Sequence, residues 1–450
     1  MTTPVFSIGS AENPNEYREL IRMFLPADGF TLDTAGPPRA DSKDGIKRLL
    51  YADLMAHTGR GLDWGILTGV KPLKLFASLA EASCPEAAMK TLAEDYYVAG
   101  DKVSLLAAAY RTQAAELAAP APGAVGVYVG IPFCPTRCAY CSFASNPADP
   151  AVMEAYMAAL EKEIRFTGGQ MATRGLLAES VYVGGGTPTT LGAAGMARLL
   201  DLVAAEIPQA ADCERTVEAG RPDTVDAAVT QVLASKGVRR ISINPQSMKE
   251  ETLKAIGRSH SIKSVGAAFA LARAAGIQVI NTDIIAGLAE ETVEDFQATL
   301  DAVMALAPEN ITVHTLSLKK GSRLREEGTE LCYNKEGRAR QMLRGLDAQM
   351  GERGYRPYYL YRQKQMLDNL ENVGYALPGS ACVYNVRIME EKQTILALGA
   401  GGSSKVYYPA ENRIERVFNV SDVRHYIARI DEMIERKRRG IFYDECTEEK

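Results

Sequence analysis

The feature that most constrains the fold is an alternation of short apolar runs with longer amphipathic stretches between residues 125 and 318. Each run has the length and β-branched content of a buried strand, and the stretches between them repeat apolar residues at helical spacing. This alternation predicts an α/β fold in which crossover helices connect a parallel sheet. Six repeats fit an open or partial barrel as well as a doubly wound sheet, and both place ligands at the carboxyl ends of the strands. The predicted strands are Val125 to Ile131, Ser180 to Val183, Arg215 to Glu218, Arg239 to Asn244, Gln278 to Ile285 and Asn310 to Leu318, and the predicted helices lie near Ala151 to Phe166, Ala193 to Ala205, Thr224 to Lys236, Lys249 to Ala275 and Thr292 to Leu306.

Two segments of different character flank this core. Residues 1–120 show helical periodicity and end in a stretch rich in Ala, Pro and Gly at 117–124, which is typical of a linker. From about residue 320 the composition shifts to tyrosines and basic residues, and a charged helix is predicted near Val423 to Arg439. We therefore predict a mostly helical N-terminal accessory domain over 1–120, a core over 121–345, and a smaller C-terminal α+β region over 346–450 that covers the substrate. The predicted N-terminal helices are Gly45 to His57, Leu73 to Ala82 and Val103 to Leu117.

Composition narrows the functional classes. The chain has 450 residues, of which 46% are hydrophobic, so it can bury a sizeable core. Its formal net charge of -5 gives no overall attraction to nucleic acid or to an anionic membrane. The first residues do not read as a signal peptide, and no apolar run approaches the roughly 18 residues of a membrane span. We therefore expect a cytoplasmic protein with no nucleic-acid partner and no membrane span.

Three of the eight cysteines, Cys134, Cys138 and Cys141, follow the first predicted strand on one tight loop. Thiolates suit iron-sulfur clusters and zinc. A structural zinc site needs four ligands, but no second cysteine pair or histidine follows at suitable spacing. Three cysteines on a cubane leave one iron without a protein ligand, which is the open position that a catalytic metal needs. The remaining cysteines are predicted to be isolated thiols without chemistry: Cys84, Cys213, Cys332, Cys382 and Cys446.

Polar and glycine-rich elements end the later strands. The segment Val181-Tyr-Val-Gly184-Gly185-Gly186-Thr187-Pro188-Thr189 follows the second strand, and its glycines allow either close approach to a ligand or a tight turn. It lacks the spacing of a dinucleotide fingerprint. Glu218 ends the third strand, Gln246 the fourth and Asp283 the fifth, while Arg258 lies beyond the fourth. Each residue alone is more often structural, but their shared position at one rim favours a binding site.

The CxxxCxxC spacing, with Tyr140 before the last cysteine, resembles the radical S-adenosylmethionine (SAM) superfamily. Over residues 128 to about 317 the chain further resembles the oxygen-independent coproporphyrinogen III oxidase family, also called coproporphyrinogen dehydrogenase. That resemblance is carried by Tyr128, by Ile-Pro-Phe before Cys134, by Gly-Gly-Gly-Thr-Pro-Thr, by the Glu218 and Gln246 elements, by Ala-Ile-Gly-Arg258 and by the Asp283-Ile-Ile-x-Gly-Leu segment. It implies a partial (β/α)6 barrel.

The resemblance also implies cofactors. A 4Fe-4S cluster would be held by Cys134, Cys138 and Cys141, and SAM on the cluster would be contacted by residues matching Tyr128, Gly185 and Glu218. It implies a second SAM as well, whose contacts would be Tyr140, Gly186, Thr187, Gln246, Arg258 and Asp283. The reductant would be a protein such as flavodoxin or ferredoxin.

In this family a 5'-deoxyadenosyl radical takes a hydrogen from a propionate side chain of coproporphyrinogen III, and loss of carbon dioxide and an electron leaves a vinyl group, a step of heme biosynthesis. A tetracarboxylate substrate needs cations, although basic side chains also serve as solvated surface. Four tyrosines, Tyr355, Tyr358, Tyr359 and Tyr361, are candidates for an aromatic wall or for core packing. The candidate cations are Lys319, Lys320, Arg323, Arg325, Arg356, Arg362, Lys364 and Arg387.

The chain departs from the best-known members at Gly130, where they carry histidine, at Ser142-Phe143, and in its longer N-terminal segment. Related functions therefore stay open: a heme chaperone or trafficking protein, a SAM-dependent methyltransferase, or a heme-degrading enzyme. A chaperone would expose a heme ligand outside the cluster loop. The candidates for that ligand are His260, His314, His425 and Cys84 in Cys84-Pro85.

Overall fold

The computed structural model describes residues 3–142, 146–147, 149–319, 322–326 and 337–443. The first part of the chain contains a short parallel strand pair and five helices, two of which the sequence did not predict. Ser42 begins α2 by accepting a hydrogen bond from the Gly45 backbone N–H, and Cys84 begins α4 in the same way from Ala87. The elements are β1 (Val5–Ser7), α1 (Pro14–Arg22), β2 (Thr31–Asp33), α2 (Lys43–Thr58), α3 (Pro72–Ala82), α4 (Pro85–Glu94) and α5 (Gly100–Glu116).

All six predicted core strands form, and they pair in parallel in chain order, which confirms the α/β fold. Crossover helices connect them, and apolar side chains of strands and helices make one continuous core. The strands are β3 (Ala124–Ile131), β6 (Leu177–Gly185), β7 (Gln209–Glu218), β8 (Arg240–Ser242), β9 (Val279–Ala286) and β10 (Asn310–Thr315), with the short pair β4 (Phe133–Cys134) and β5 (Asn146–Pro147) beside the cysteine loop. The helices are α6 (Pro150–Thr173), α7 (Gly192–Glu206), α8 (Ala227–Ser235), α9 (Glu250–Ala255), α10 (Ile262–Ala274) and α11 (Val293–Ala305).

The single helix predicted over Lys249 to Ala275 is wrong, because it is two helices, α9 and α10. Gly257 adopts a left-handed backbone with φ of 76°, which ends α9, and the Ser261 hydroxyl then begins α10 by accepting from the Ser264 N–H. Arg258 lies in the break between them. The break therefore turns this arginine toward the strand ends instead of leaving it on a helix surface.

The last part of the chain extends the same sheet on both edges. With the six core strands it forms one eleven-stranded sheet, in which β12 and β11 follow β10, while β13 pairs with β3 in parallel and leads to β14 and β15. The charged helix predicted at the end is broken at Arg429 into two. The elements are α12 (Arg323–Glu326), α13 (Arg338–Leu343), α14 (Leu346–Glu352), β11 (Arg356–Tyr361), β12 (Asn372–Ala376), α15 (Val383–Glu390), β13 (Ile395–Leu398), β14 (Ser403–Tyr408), β15 (Arg413–Phe418), α16 (Val423–Ala428) and α17 (Ile430–Gly440).

Helices α3 and α5 pack against the β11 edge of this sheet and share a buried apolar core with β10 and β12. Polar contacts join the same parts of the molecule. The buried carboxylate of Glu371 accepts hydrogen bonds from Trp64 Nε1 at 2.8 Å and from Lys102 Nζ at 2.6 Å. The Gln113 side chain donates to the Tyr358 carbonyl at 2.8 Å. Across the described ranges, no helix is both long and apolar enough to cross a membrane.

Candidate active site

A cavity of about 490 Å³ lies at the carboxyl ends of the parallel strands. This volume is in the range of small-molecule and cofactor sites. The three clustered cysteines line it together with every residue that the sequence proposed as a SAM contact. These are Cys134, Cys138, Cys141, Tyr128, Tyr140, Gly185, Gly186, Thr187, Glu218, Gln246, Arg258 and Asp283.

The cysteine loop begins on β4 and is held by backbone hydrogen bonds to other parts of the chain. The Ala139 N–H donates to the Ile256 carbonyl at 2.9 Å, and the Ala139 carbonyl accepts from the Leu324 N–H at 3.1 Å. The pKa of Cys134 is raised above its ordinary value by burial, and a contact with the Thr187 hydroxyl at 3.5 Å offsets part of that rise. Cys134, Cys138 and Cys141 are half-buried, form no disulfide and line one cavity.

These thiols fit a 4Fe-4S cluster by the chemistry of the donor set, since three soft ligands on one loop leave a fourth iron open. Within the described ranges, no group of three metal-binding side chains is arranged to hold a single metal ion. A 4Fe-4S cluster does not need that arrangement, because each of the three thiolates binds a different iron.

The glycine segment closes one side of the cysteine loop. The Gly186 N–H donates to the Ile131 carbonyl at 2.8 Å, and the Thr187 N–H donates to the Phe133 carbonyl at 2.7 Å. A Cβ atom on Gly186 would lie 2.5 Å from the Phe133 carbonyl oxygen and 3.0 Å from the Cys134 Sγ. Only glycine fits there, so this position sets how closely β6 approaches the cluster ligands.

Glu218, at the end of β7, is fixed between β6 and the cavity. Its Oε1 accepts from the Tyr182 hydroxyl at 2.7 Å, and its Oε2 accepts from the Gly185 N–H at 3.1 Å. Burial raises the pKa of Glu218 to about 7, and the nearby negative charge of Asp283 acts in the same direction. A positively charged ligand beside Glu218 would stabilise the ionised form of this buried carboxyl group.

Three stacked tyrosines stand over this carboxylate. Tyr182 stacks on Tyr384 with ring centroids 4.5 Å apart, and Tyr128 lies about 6 Å from both, at 6.2 Å from Tyr182 and 6.1 Å from Tyr384. Sequence reasoning identified Tyr128 but missed Tyr182 and Tyr384. Tyr182 was identifiable as the residue before Val-Gly-Gly-Gly, whereas Tyr384 lies on α15 with no motif to mark it.

Asp283, on β9, is surrounded by side chains of the neighbouring strands. Its Oδ1 accepts from Asn281 Nδ2 at 2.8 Å and its Oδ2 from Asn244 Nδ2 at 2.8 Å. His314 Nε2 lies 3.5 Å from the same Oδ2. Burial alone would raise the pKa of Asp283, but His314 and Asn281 outweigh burial and hold it below its ordinary value.

Two arginines face the cysteine loop from its other side. Arg221, which sequence reasoning missed, donates to Thr136 Oγ1 at 3.0 Å and lies 3.9 Å from Cys138 Sγ. Arg258 donates to the Asn244 carbonyl and, at 3.3 Å, to the Tyr140 hydroxyl. Their positive charge offsets the negative charge that thiolates bring to this end of the cavity.

Most of the cations predicted as substrate clamps point away from the cavity. Arg362 is buried over the Trp64 ring and donates to the Leu67 carbonyl, Arg387 pairs with Glu179, and Lys364 pairs with Glu19. Arg356 is exposed at the start of β11, and Arg323 is exposed on α12. Lys319 lines the cavity, whereas Lys320 and the side chain of Arg325 lie outside the described residues.

Of the four predicted wall tyrosines, Tyr359 and Tyr361 line the cavity. Tyr355 and Tyr358 are buried in packed clusters instead. Among the residues considered as heme ligands, His260 is buried, His425 is exposed near Asp422, and Cys84 caps α4. His314 alone of this set lies in the cavity.

Comparison with known proteins agrees with this geometry. Residues 128–303 match the family model described as the Radical SAM superfamily. The fold and the three-cysteine site are those of a radical SAM protein, a class whose cofactors are a 4Fe-4S cluster and SAM.

The relatives narrow this class. The oxygen-independent coproporphyrinogen-III oxidase-like protein HemZ of Bacillus subtilis is 39% identical over 85% of this chain and 78% of HemZ. The heme chaperone HemW of Escherichia coli is 30% identical over 65% of this chain and 72% of HemW. The solved structure of coproporphyrinogen III oxidase (HemN) from Escherichia coli superposes with a TM-score of 0.55 at 23% identity, covering 69% of each chain. The protein belongs to the family of oxygen-independent coproporphyrinogen III oxidase-like proteins, which also includes the HemW chaperones.

Proposed function

We propose that this protein is a radical SAM oxidoreductase of the coproporphyrinogen dehydrogenase type, which converts propionate side chains of coproporphyrinogen III into vinyl groups in anaerobic heme biosynthesis. The observation that carries the proposal is the single cavity that has the three cysteines at one end and tyrosines of β11 and α15 on the walls beyond them. The similarity of this chain to HemZ over most of both proteins supports the same reaction class.

Cys134, Cys138 and Cys141 would hold the cluster, and Tyr128, Gly185 and Glu218 would contact the SAM beside it. When bound, the reduced cluster supplies one electron and SAM supplies the radical that starts hydrogen abstraction. Glu218 suits the ammonium of SAM because a buried carboxylate without a cation is unfavourable. The Gly185 N–H and the Tyr182 hydroxyl orient that carboxylate, so its position is set before any ligand arrives.

The aromatic side chains supply placement and exclude water. Tyr359 and Tyr361 stack with ring centroids 6.3 Å apart on β11, and Tyr128, Tyr182 and Tyr384 stack on the other side of the cavity. Flat aromatic faces suit a tetrapyrrole, because the rings can stack on it and bury its apolar area. A dry wall also protects a reactive carbon radical from side reactions.

The proposal includes a second SAM. The Gln246 side-chain oxygen is buried without a hydrogen-bond partner among the described residues, and Gln246 has a left-handed φ of 69°. A ligand donor at this position would satisfy that oxygen. We expect equilibrium dialysis to give two SAM per chain and Gln246→Leu to give one. The proposal also includes a flavodoxin- or ferredoxin-type reductant, which activity with each purified donor tests.

The decisive experiment is anaerobic reconstitution of the cluster, reduction, and addition of SAM with and without coproporphyrinogen III, followed by mass spectrometry of nucleoside and tetrapyrrole products. We expect substrate to stimulate 5'-deoxyadenosine formation and the tetrapyrrole mass to fall in steps of one formic acid equivalent. Cleavage of SAM with an untouched porphyrinogen would reject the substrate. Tight heme binding without SAM cleavage would instead favour a chaperone role. The Cys134→Ser variant is the control for chemistry that does not depend on the cluster.

A further inference from the structure

His314 and Asp283 form a pair on adjacent strands of the cavity wall. The carboxylate of Asp283 is engaged on both oxygens by Asn281 and Asn244, and it faces His314 Nε2 at 3.5 Å. Asn281 is fixed in turn, because its side-chain oxygen accepts from the Thr312 hydroxyl at 3.1 Å. The imidazole is therefore oriented by a rigid set of strand residues, while 26% of its side chain stays exposed at the cavity.

Positive charge is scarce on this wall. The basic residues among the described cavity lining are Arg221, Arg258, His314 and Lys319. The two arginines lie at the cluster end, where Arg221 pairs with Asp223 at 3.0 Å and Arg258 donates to Tyr140. His314 and Lys319 are thus the basic side chains that β10 and the segment after it bring to the cavity. Any anionic ligand group on that wall meets these two residues first.

We infer that His314, held by Asp283, is a binding site for a carboxylate group of a ligand in this cavity. A protonated imidazole can donate from both ring nitrogens, so with Nε2 facing Asp283 the other nitrogen can donate to a second carboxylate. Asp283 would offset the positive charge of the ring in that state.

Two ligands of the proposed reaction carry a carboxylate: the propionate arms of a tetrapyrrole and the amino-acid part of SAM. The inference rests on the proposed function for the identity of these ligands, but it can be tested by binding alone. Coproporphyrin III, the oxidised form of the porphyrinogen, carries the same four carboxylates. Its absorbance reports binding directly, without any reaction. Protoporphyrin IX, which has two carboxylates, is the matched probe.

The experiment titrates the reconstituted, oxidised holoprotein with coproporphyrin III, protoporphyrin IX and SAM in separate arms. His314→Gln keeps hydrogen bonding to Asp283 without the charge, and His314→Lys keeps the charge. Arg356→Gln is the control, since it removes an exposed cation outside the cavity. Thermal melting of each variant establishes that it is folded.

We expect His314→Gln to weaken coproporphyrin III binding roughly tenfold or more, as loss of a charge-assisted hydrogen bond does. His314→Lys should restore most of that affinity, and Arg356→Gln should change nothing. If SAM binding weakens instead, the carboxylate site stands and its ligand is the amino-acid part of SAM. Unchanged affinity for every probe in folded His314→Gln overturns the inference. Failure of the wild-type protein to decarboxylate the porphyrinogen would reject the proposed function and leave this binding result unaffected.

Discussion

The two ends of the cavity are assembled in different ways. The cluster end comes from two short segments, the loop that carries Cys134, Cys138 and Cys141 and the Gly184 to Thr187 turn, which bond each other through backbone groups. The opposite walls come from β9, β10, β11 and α15, and they bring together residues as distant in sequence as Asp283 and Tyr384. The cluster end is therefore set by local chain geometry, while the opposite walls depend on the packing of the whole sheet.

This difference predicts that substitutions at the cluster end act on the cofactor and that substitutions on the opposite walls act on affinity. The largest effect is expected for Cys134→Ser, which removes one of three soft ligands from the cluster. Visible absorbance and electron paramagnetic resonance after reconstitution should show loss of the 4Fe-4S signal. Cys84→Ser is the control, because a serine keeps the cap of α4. A normal 4Fe-4S signal in Cys134→Ser would contradict the assignment of this end of the cavity to the cluster.

Gly186→Ala should have the next largest effect. Its added Cβ would overlap the Phe133 carbonyl and press on the Cys134 Sγ, and overpacking of this kind costs about 1–3 kcal/mol. We expect a lower free energy of unfolding in denaturant titration together with less iron per chain. Gly169→Ala, on the exposed face of α6 where a Cβ meets nothing within 4 Å, should be neutral or stabilising. Equal stability of the two variants would mean that the cysteine loop shifts to accommodate the added Cβ atom.

Glu218 gives a pH-dependent prediction at the boundary between the two ends. Because burial raises its pKa to about 7, the side chain is largely neutral below that pH and negative above it. SAM affinity should therefore rise about tenfold or less as pH increases from 6 to 8, and Glu218→Gln should abolish this dependence. Isothermal titration at a series of pH values measures it. A wild-type affinity that is flat across this range would remove Glu218 from the SAM site.

The sign of the stability effect in the absence of SAM is the opposite. Because burial raises the pKa of Glu218, the folded protein favours the protonated form of this side chain. The stability that Glu218 contributes is therefore fully present below its ordinary pKa of 4.5 and is lost as pH rises through about 7. Urea unfolding at pH 5 and pH 8 should show the wild type losing more stability than Glu218→Gln over that interval. The same loss in both proteins would assign the pH dependence to other groups.

The smallest effect is expected for Tyr182→Phe, which keeps the stacked ring and removes one hydrogen-bond donor to Glu218. Since that donor lowers the pKa of Glu218, its loss should move the midpoint of the SAM affinity profile to higher pH. Tyr384→Phe keeps the same stack without touching the carboxylate and serves as the control. A downward movement of the midpoint would mean that Tyr182 accepts a proton instead of donating one.

The same difference explains what could be predicted from the sequence. The parallel strands, the cysteine loop and the rim residues follow from local patterns, because strand ends in a parallel sheet meet at one edge whatever the rest of the chain does. The break at Gly257 was missed because a single glycine within an apolar periodic stretch is tolerated in many helices. The targets of Arg362 and Arg387 were also not predictable. Arg362 donates to the Leu67 carbonyl and Arg387 pairs with Glu179, and both partners lie hundreds of residues away in the chain. No local sequence pattern carries that information.

The buried Glu371 has a consequence for how this chain can be divided. Its partners Trp64 and Lys102 lie before the linker at 117–124, while Glu371 itself precedes β12 at the edge of the sheet. Removal of both partners would leave the Glu371 carboxyl group buried without its ion-pair partner, and breaking a buried pair in this way typically costs about 3–5 kcal/mol. A fragment that starts at the linker would thus lack the Lys102 counter-charge, which α5 supplies. The two stretches are expected to melt in one cooperative transition, and recombination between relatives at this linker would have to exchange the tryptophan, the lysine and the glutamate together.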